Sequence, residues 1–259
     1  MAAAEREVHI EVRDLTMAFG SNVIQRELSF PVYRGDIFVI MGGSGCGKST
    51  LLKHMLGLLE PAAGEILFSG TSFTHASASA RDVMRRSWGI TYQSGGLFGA
   101  MTLEENVGLP LQLYTDYTAT QIKDVVRYKL SLVGLGGFES YYPAEISGGM
   151  NKRAALARAI ALDPQILFFD EPSAGLDPIS SRLLDDLILQ LTESIGATVV
   201  MVTHELPSIF AIANNSVYLD ASTRTMIGYG DPKQLREQSE EAVVRQFLTR
   251  SAAAAGEAE

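Results

Sequence analysis

The stretch Gly42-Gly43-Ser44-Gly45-Cys46-Gly47-Lys48-Ser49 constrains the fold of this chain more than any other. It follows an apolar run, residues 37–41, and precedes a helical pattern that starts at Thr50. Strand, glycine loop and helix in this order are typical of a phosphate-binding loop, in which successive N–H groups face one concavity and the helix N-terminus adds partial positive charge. The alternative is an ordinary glycine turn with a solvated lysine, which the strand before and the helix after make the weaker interpretation.

Two side chains of this loop have specific roles in the prediction. Lys48 is expected to reach the β- and γ-phosphates of a nucleotide, and Ser49 is expected to offer its hydroxyl to Mg²⁺. The residues predicted to contact the nucleotide here are Gly42, Gly43, Ser44, Gly45, Cys46, Gly47, Lys48, Ser49 and Thr50. A thiol modified at Cys46 would obstruct phosphate entry, and the helix N-terminus nearby is expected to favour its thiolate, although burial would oppose this.

Composition and charge restrict the class of protein. The chain has 259 residues, 46% hydrophobic and 20% charged, which is typical of a soluble globular protein with one elaborate domain or two small ones. No apolar run approaches the roughly 18 residues that span a bilayer, and residues 1–7 lack the features of a signal peptide. The single cysteine fits a reducing compartment, so we expect the protein to stay in the cytoplasm. A net charge of −9 argues against nonspecific nucleic-acid binding.

Four apolar stretches end in glycine or polar residues. Residues 37–41, 88–92, 166–169 and 198–203 are followed by Gly42, Gln93, Asp170-Glu171 and His204, in that order. Near-continuous apolar strands are typical of a parallel sheet that is covered on both faces, and such sheets bind ligands beyond the carboxyl ends of their strands. We therefore expect Gln93, Asp170, Glu171 and His204 to converge on the phosphate loop.

Each of these strand-end residues has a possible chemical role. Asp170 closes its strand, where a carboxylate organises Mg²⁺, and Glu171 next to it points elsewhere and could polarise an attacking water. Gln93 could contact Mg²⁺ or water through its amide. The alternatives are surface charge for the two carboxylates, a strand-end polar residue for Gln93 and a satisfied core histidine for His204. The strand-end positions favour the functional interpretation.

The remaining chain predicts an antiparallel sheet and an inserted helical segment. Residues 8–16 and 28–33 alternate apolar and polar residues, which indicates antiparallel strands. Phe19 lies between them and could stack on an adenine ring, although an isolated aromatic is more often a core residue. Residues 97–162 contain three helical patterns and no strand pattern, which predicts a helical subdomain.

Several other segments are assigned by pattern alone. The small residues 76–80 predict a linker, residues 206–213, 231–235 and 240–250 predict helices, and residues 217–229 predict a hairpin. The predicted domain covers residues 1–250, and the alanine-rich, acidic residues 251–259 predict a disordered tail.

Ser147-Gly148-Gly149 begins a long helical pattern and predicts a second anion site, for which simple N-capping is the alternative. Two phosphate sites and one water-polarising glutamate in a single chain indicate that the second site serves another subunit. We therefore expect a two-fold dimer with composite sites, with Asp177 in a turn at the interface.

These motifs, in this order, resemble those of the ATPase subunit of an ABC transporter over residues 8–250. The resemblance implies an α/β P-loop NTPase with a RecA-like mixed sheet core, an N-terminal antiparallel β subdomain and an inserted α-helical subdomain. It implies hydrolysis of ATP with Mg²⁺ by a homodimer. It further implies that Gln93 senses an integral membrane permease, that Ser147 and Gly149 bind the γ-phosphate held by the opposite subunit, and that His204 contacts that phosphate. Phe19 takes the place of an adenine-stacking tyrosine.

Finer features are similar to the Mla/Mce-type lipid-transport ATPases. These are the residues 94–98 after Gln93, Met150 where glutamine is usual, and residues 154–163 and 243–248. The resemblance implies phospholipid transport at the cytoplasmic face of a bacterial inner membrane, with a permease, an MCE-domain lipid-binding subunit and a small STAS-type regulator as partners. The chain departs from the usual pattern at three positions, which are Gly43 for proline, Tyr92 for phenylalanine and Leu176 for glutamine.

Other functions remain open on the sequence alone. An importer of a small polar solute such as an amino acid would use the same residues with a different permease. A soluble ABC-type clamp on DNA or the ribosome usually has two such domains or a long coiled coil, and this chain has neither. A purely structural role would need a missing catalytic part, and all the parts are present.

Overall fold

The computed structural model describes residues 6–254, which divide into two compact units. The first unit comprises the described residues up to Arg81 and from Val200 onward, and the second comprises Asp82–Val199. The predicted helical subdomain, residues 97–162, lies within the second unit and contains no strand. None of the helices within residues 6–254 is long and apolar enough to cross a bilayer.

An antiparallel sheet in the first unit has the strand order β2-β1-β4-β5. Its strands are β1 (Val8–Phe19), β2 (Asn22–Tyr33), β4 (Ala63–Phe68) and β5 (Thr71–Ser72). Strand β1 pairs antiparallel with both β2 and β4, as the alternation of apolar residues predicts. Ile10, Val12 and Leu15 of β1 are buried in the core.

Neighbouring strands in the order β10-β9-β3-β8 also belong to the first unit, which β8 enters at Val200. They are β3 (Ile37–Gly42), β8 (Thr198–Val202), β9 (Asn215–Asp220) and β10 (Thr225–Tyr229). Strand β3 is buried along its whole length and pairs parallel with β9, while β9 and β10 form the predicted antiparallel hairpin. The parallel and antiparallel pairs together make the sheet mixed.

The helices of the first unit are α1 (Lys48–Met55), α7 (Leu206–Ile212), α8 (Pro232–Gln238) and α9 (Ala242–Ala254). Helix α9 continues to Ala254, so the backbone of residues 251–254 is helical where the sequence predicted a disordered tail. The rest of that prediction, residues 255–259, lies outside the described residues.

The second unit is mostly helical around a parallel strand pair. Strands β6 (Trp88–Thr91) and β7 (Ile166–Asp170) pair in parallel. The helices are α3 (Leu103–Tyr114), α4 (Ala119–Leu132), a 3₁₀ turn (Pro143–Glu145), α5 (Gly148–Ala159) and α6 (Pro178–Ile195). Helix α2 (Ala78–Arg85) starts within the predicted linker, which is therefore wrong over residues 78–80. Helix α6, the longest of the described helices, was not predicted.

Candidate functional site

The glycine-rich loop connects β3 to α1 in the first unit. Gly45 and Gly47 have φ angles of 76° and 101°, and Gly47 is the N-cap of α1. Lys48 Nζ donates hydrogen bonds to the carbonyl oxygens of Gly42, at 3.0 Å, and Gly43, at 2.9 Å. Ser49 and Thr50 follow in the first turn of the helix. The ammonium group, the turned backbone and the helix N-terminus together suit the binding of phosphate.

A buried glutamine supports this loop. Gln25, on β2, has no exposed surface, and its Nε2 donates to Cys46 O at 2.7 Å and to Asp220 O at 2.9 Å. The sequence pattern does not reveal Gln25 because the pairing of β1 with β2 shifts register between Leu15 and Met17, near Glu27 with its φ of 54°. After such a bulge, simple alternation no longer tells which side chains face inward.

The Cys46 side chain faces the protein interior. Its exposed fraction is 1%, and a Cβ placed on Gly42 would lie 2.6 Å from Cys46 Sγ. Burial raises the pKa of the thiol, while the nearby Lys48 ammonium opposes that shift. The main-chain N–H groups of Cys46 and Lys48 at the helix N-terminus favour the thiolate, as expected, but the opposing effect of burial is larger. The main chain of Cys46 still belongs to the loop.

Phe19 and His204 lie in the same unit as the loop. Phe19 ends β1 with 56% of its surface exposed, so its ring face is available for stacking and is not part of the core. His204 follows β8, which neighbours the strand that leads into the loop, and its Nε2 lies 3.6 Å from Glu205 Oε1. The roles of both side chains stay predictions.

In the second unit, the ends of the paired strands β6 and β7 border a cleft of 480 Å³. The residues that line it are Tyr92, Gln93, Ser94, Asp170, Ala174 and Gly175. The structure thus brings Gln93 and Asp170 together. Glu171 follows with a φ of 48°, a left-handed conformation that is uncommon outside glycine. The backbone therefore turns sharply between the two carboxylates.

The donor chemistry in this cleft fits Mg²⁺. Asp170 supplies a carboxylate and Gln93 a side-chain amide oxygen. Mg²⁺ prefers oxygen ligands and is usually bound by one or two carboxylates together with the phosphates of the substrate. Ser49, the third predicted ligand, lies in the first unit, and its role stays a prediction.

The Ser147-Gly148-Gly149 segment forms the N-terminus of α5. Ser147 is the N-cap, and its Oγ accepts a hydrogen bond from Met150 N at 3.2 Å. Gly148 and Gly149 are the first two helical residues, and a Cβ on Gly149 would lie 3.4 Å from Ser180 Oγ. The N-capping interpretation is thus observed, and the first N–H groups of a helix have no acceptor within the helix, which leaves them suited to an anion.

Asp177 is a helix cap instead of a mid-turn residue. Its Oδ1 accepts from Ile179 N and Ser180 N, each at 3.0 Å, and its Oδ2 accepts from Ser180 Oγ at 2.6 Å. These hydrogen bonds, chiefly that from the Ser180 hydroxyl, lower the pKa of the carboxyl group. Since Ser180 also borders Gly149, Asp177 and the Ser147 segment belong to one cluster.

A family model described as ABC transporter matches residues 25–174. The chain is 43% identical over 241 residues to "Probable ribonucleotide transport ATP-binding protein mkl" of Mycobacterium leprae, covering 93% of this chain and 69% of that protein. The protein of the same name in Mycobacterium tuberculosis is also 43% identical, and 66% of its length is covered. This chain thus spans about two thirds of these relatives.

Another relative is "Intermembrane phospholipid transport system ATP-binding protein MlaF" of Haemophilus influenzae. It is 42% identical over 239 residues, which cover 92% of this chain and 89% of that protein. Among solved structures, cbiO1 from Clostridium perfringens, part of the ABC transporter complex cbiONQ, aligns with a TM-score of 0.81 at 25% identity over 96% of this chain and 97% of its own. A dimeric post-hydrolysis ATP-binding cassette bound to ADP and Pi aligns with a TM-score of 0.76 at 26% identity over 86% of this chain and 98% of its own.

Proposed function

This chain belongs to the ABC transporter family and is an ATPase, and we propose that it energises phospholipid transport as a peripheral subunit on the cytoplasmic face of a bacterial inner membrane. The observation that carries the lipid proposal is the 42% identity to MlaF over 89% of that protein. The predicted α/β fold of the family is confirmed by the cassettes that align with the chain.

Each part of the hydrolytic reaction has a candidate residue in this chain. The loop N–H groups and Lys48 would hold the triphosphate, and Ser49, Gln93 and Asp170 would hold Mg²⁺, which neutralises charge between the phosphates. Glu171 would orient the attacking water and accept its proton, and His204 would contact the γ-phosphate. The left-handed conformation of Glu171 would direct its carboxylate away from that of Asp170, which supports separate roles for the two residues.

A second copy of the chain would complete each site. The N-terminus of α5, with Ser147, Gly148 and Gly149, would bind the γ-phosphate held by the opposite subunit, and Asp177 would lie at the interface. The dimeric cassette that aligns with this chain supports such an arrangement. ATP would favour the closed dimer because it binds that state with contacts from both subunits.

The predicted permease would dock on the second unit. A groove of 240 Å³ lies beside β6, and its apolar lining residues include Trp88, Phe98, Leu109, Leu113 and Tyr114. The side chains of Phe98, Leu113 and Tyr114 are exposed. Such a groove fits the apolar face of a permease helix. An MCE-domain subunit and a STAS-type regulator would complete the complex.

The mycobacterial relatives support a second candidate cargo. They are named for probable ribonucleotide transport and are 43% identical to this chain. A ribonucleotide is a small polar solute, the class that the sequence left open as an alternative to lipid.

The ATPase mechanism is tested by Glu171→Gln, with Glu193→Gln, an exposed residue of α6, as the matched control. We expect the first variant to bind ATP, to accumulate as a dimer in size-exclusion chromatography and to turn over ATP at least about a hundredfold more slowly. The control should behave as the wild type. A Glu171→Gln protein with near wild-type turnover would refute the role of Glu171.

The cargo is tested by purifying the tagged protein from its native membranes in mild detergent and identifying the bound proteins and lipids by mass spectrometry. The complex is then reconstituted with fluorescent phospholipid and, separately, with labelled ribonucleotide. ATP-dependent movement of phospholipid together with an MCE-domain subunit supports the proposal. Movement of ribonucleotide alone would replace it with the second candidate.

A further inference from the structure

One face of α5 carries the loop that follows β6. A Cβ placed on Gly95 would lie 3.6 Å from Ala155 Cβ and 3.7 Å from Asn151 O, so the loop backbone packs directly on the helix. Asn151 and Ala155 are four residues apart and therefore share a face of α5. The same helix begins at Ser147. Any movement of this helix would therefore act on the loop.

Two cations of α5 bind main-chain oxygens in the first part of this loop, residues 93–96. Lys152 Nζ donates to the carbonyl oxygen of Gln93. Arg158 donates through Nη1 to Gly96 O at 2.7 Å and through Nη2 to Gly95 O at 3.3 Å. Because each cation binds main-chain oxygen, the contacts fix the path of the backbone from Gln93 to Gly96.

Lys152 also lies close enough to the predicted catalytic carboxylate to be influenced by its charge. Burial lowers the pKa of its ammonium group, and the negative charge of Glu171 opposes that shift. Lys152 lines a small cavity together with Tyr92 and Pro172, which flank Gln93 and Glu171 in the sequence. The Lys152 side chain therefore lies near the start of the Gln93 loop and near the turn that contains Glu171.

We propose that Lys152 is a positioning residue for ATP hydrolysis, which holds the main chain of Gln93 and the carboxylate of Glu171 in fixed relation to the Ser147 end of α5. The proposal rests on the role of Glu171 given under the proposed function. A cation in this place lets the permease-facing loop and the water-polarising residue respond together when α5 moves. Lys152 touches neither nucleotide nor water in this role.

Arg153 provides a matched control on the same helix. Arg153 follows Lys152 in the sequence and is half-buried, as Lys152 is. Its Nη1 also donates to main-chain carbonyl oxygens, which are Val133 O at 2.9 Å and Gly134 O at 3.3 Å. Those acceptors lie away from Gln93 in the sequence and belong to the connection after α4. Removing Arg153 therefore removes a similar contact without touching the Gln93 loop.

The experiment compares Lys152→Met, Lys152→Arg and Arg153→Met with the wild-type protein. Steady-state kinetics give kcat and KM for ATP, thermal unfolding gives stability, and hydrogen exchange reports the backbone of residues 93–96. For Lys152→Met we expect kcat to fall about ten- to a hundredfold, as misplaced catalytic groups produce, with KM within about twofold. Exchange should rise at residues 93–96, and Lys152→Arg should restore most of kcat.

Arg153→Met should lose stability without a comparable loss of kcat and without faster exchange at residues 93–96. The proposal is overturned if Lys152→Met keeps the wild-type kcat, if its loss matches that of Arg153→Met, or if Lys152→Arg rescues nothing. The assay follows ATP turnover alone. A complex that moves no phospholipid would therefore refute the lipid cargo while leaving the result for Lys152 standing.

Discussion

Gln25 holds Cys46 by a hydrogen bond of 2.7 Å from its side-chain Nε2 to the main-chain carbonyl oxygen, inside the phosphate loop. The same Nε2 donates to Asp220 O at 2.9 Å, at the end of β9. One buried amide thus ties the loop to a strand that lies 195 residues away along the chain. The loop conformation depends on a residue outside the phosphate-binding motif.

Replacing Gln25 with methionine should weaken both folding and nucleotide binding. Methionine keeps the approximate length of the side chain but leaves two carbonyl oxygens without this donor, at a cost of about 1–3 kcal/mol for each buried polar group. We expect a lower free energy of unfolding in urea and a higher Kd for ATP. Gln234→Met, at an exposed position of α8, is the control. Wild-type ATP affinity in Gln25→Met would contradict the supporting role.

Gly42 and Gly43 should respond differently to alanine. At Gly42, φ is 146° and a Cβ would lie 2.4 Å from Leu219 O, a main-chain atom that cannot move aside easily. At Gly43 no atom lies within 4 Å of the added Cβ. We expect Gly42→Ala to lose at least about 1–3 kcal/mol of unfolding free energy, the usual cost of overpacking. Gly43→Ala should stay within about 0.5 kcal/mol of the wild type in the same urea titration. Equal losses would refute this reading of the loop.

Much of the fold could be predicted because the strong signals in the sequence are local. The runs 37–41, 88–92, 166–169 and 198–203 are apolar and short, and each one matches a strand of the structure to within one residue at its C-terminal end. The glycine spacing of residues 42–47 likewise reports backbone geometry directly, since Gly42, Gly45 and Gly47 all have positive φ. Signals of this kind need no knowledge of tertiary contacts.

Other features depend on contacts that the sequence does not reveal. Helix α6 begins with Asp177 as its N-cap and Pro178 at its first position, and its buried Leu184, Ile188 and Leu191 have helical spacing, so this signal was present and was missed. In contrast to α6, the buried position of Gln25 and the hydrogen bond from Lys152 to Gln93 have no signal in the local sequence. Both are set by pairing between distant segments, which periodicity within one segment cannot report.

Cys46 should react slowly with alkylating reagents in the native protein. The thiol is 1% exposed and burial raises its pKa, so both access and the thiolate fraction are low. With N-ethylmaleimide at pH 8 we expect labelling about a hundredfold or more slower than in the urea-unfolded chain, because it requires local opening. Saturating ATP should slow it further by stabilising the closed loop.

The same labelling experiment also tests the hypothesis that a modified thiol at Cys46 blocks phosphate entry. ATPase activity should decline in step with the labelled fraction measured by intact mass. Native labelling as fast as in urea would show that the thiol is accessible. Full activity after stoichiometric labelling would show that the loop tolerates the adduct.

His9 should make the protein less stable in mild acid. It is buried on β1, and burial, with help from the Arg34 charge and against that of Glu7, lowers its pKa from 6.5 to about 4. Between these values the unfolded chain binds a proton that the folded chain does not. The contribution of neutral His9 to the free energy of unfolding is therefore fully present above pH 6.5. It is lost as the pH falls toward 4, and the loss at pH 5 is about 2 kcal/mol.

The measurement is the difference in unfolding free energy between pH 7.5 and pH 5 for the wild type, His9→Gln and His75→Gln. Glutamine does not titrate, so His9→Gln should reduce that difference by about 2 kcal/mol even if it lowers stability at both pH values. His54 is also buried with a lowered pKa, so part of the acid sensitivity should remain in the variant. His75 is exposed, and its replacement should leave the difference unchanged. If His9→Gln keeps the full wild-type difference, His9 does not stay neutral in the fold, and the acid sensitivity must come from other groups.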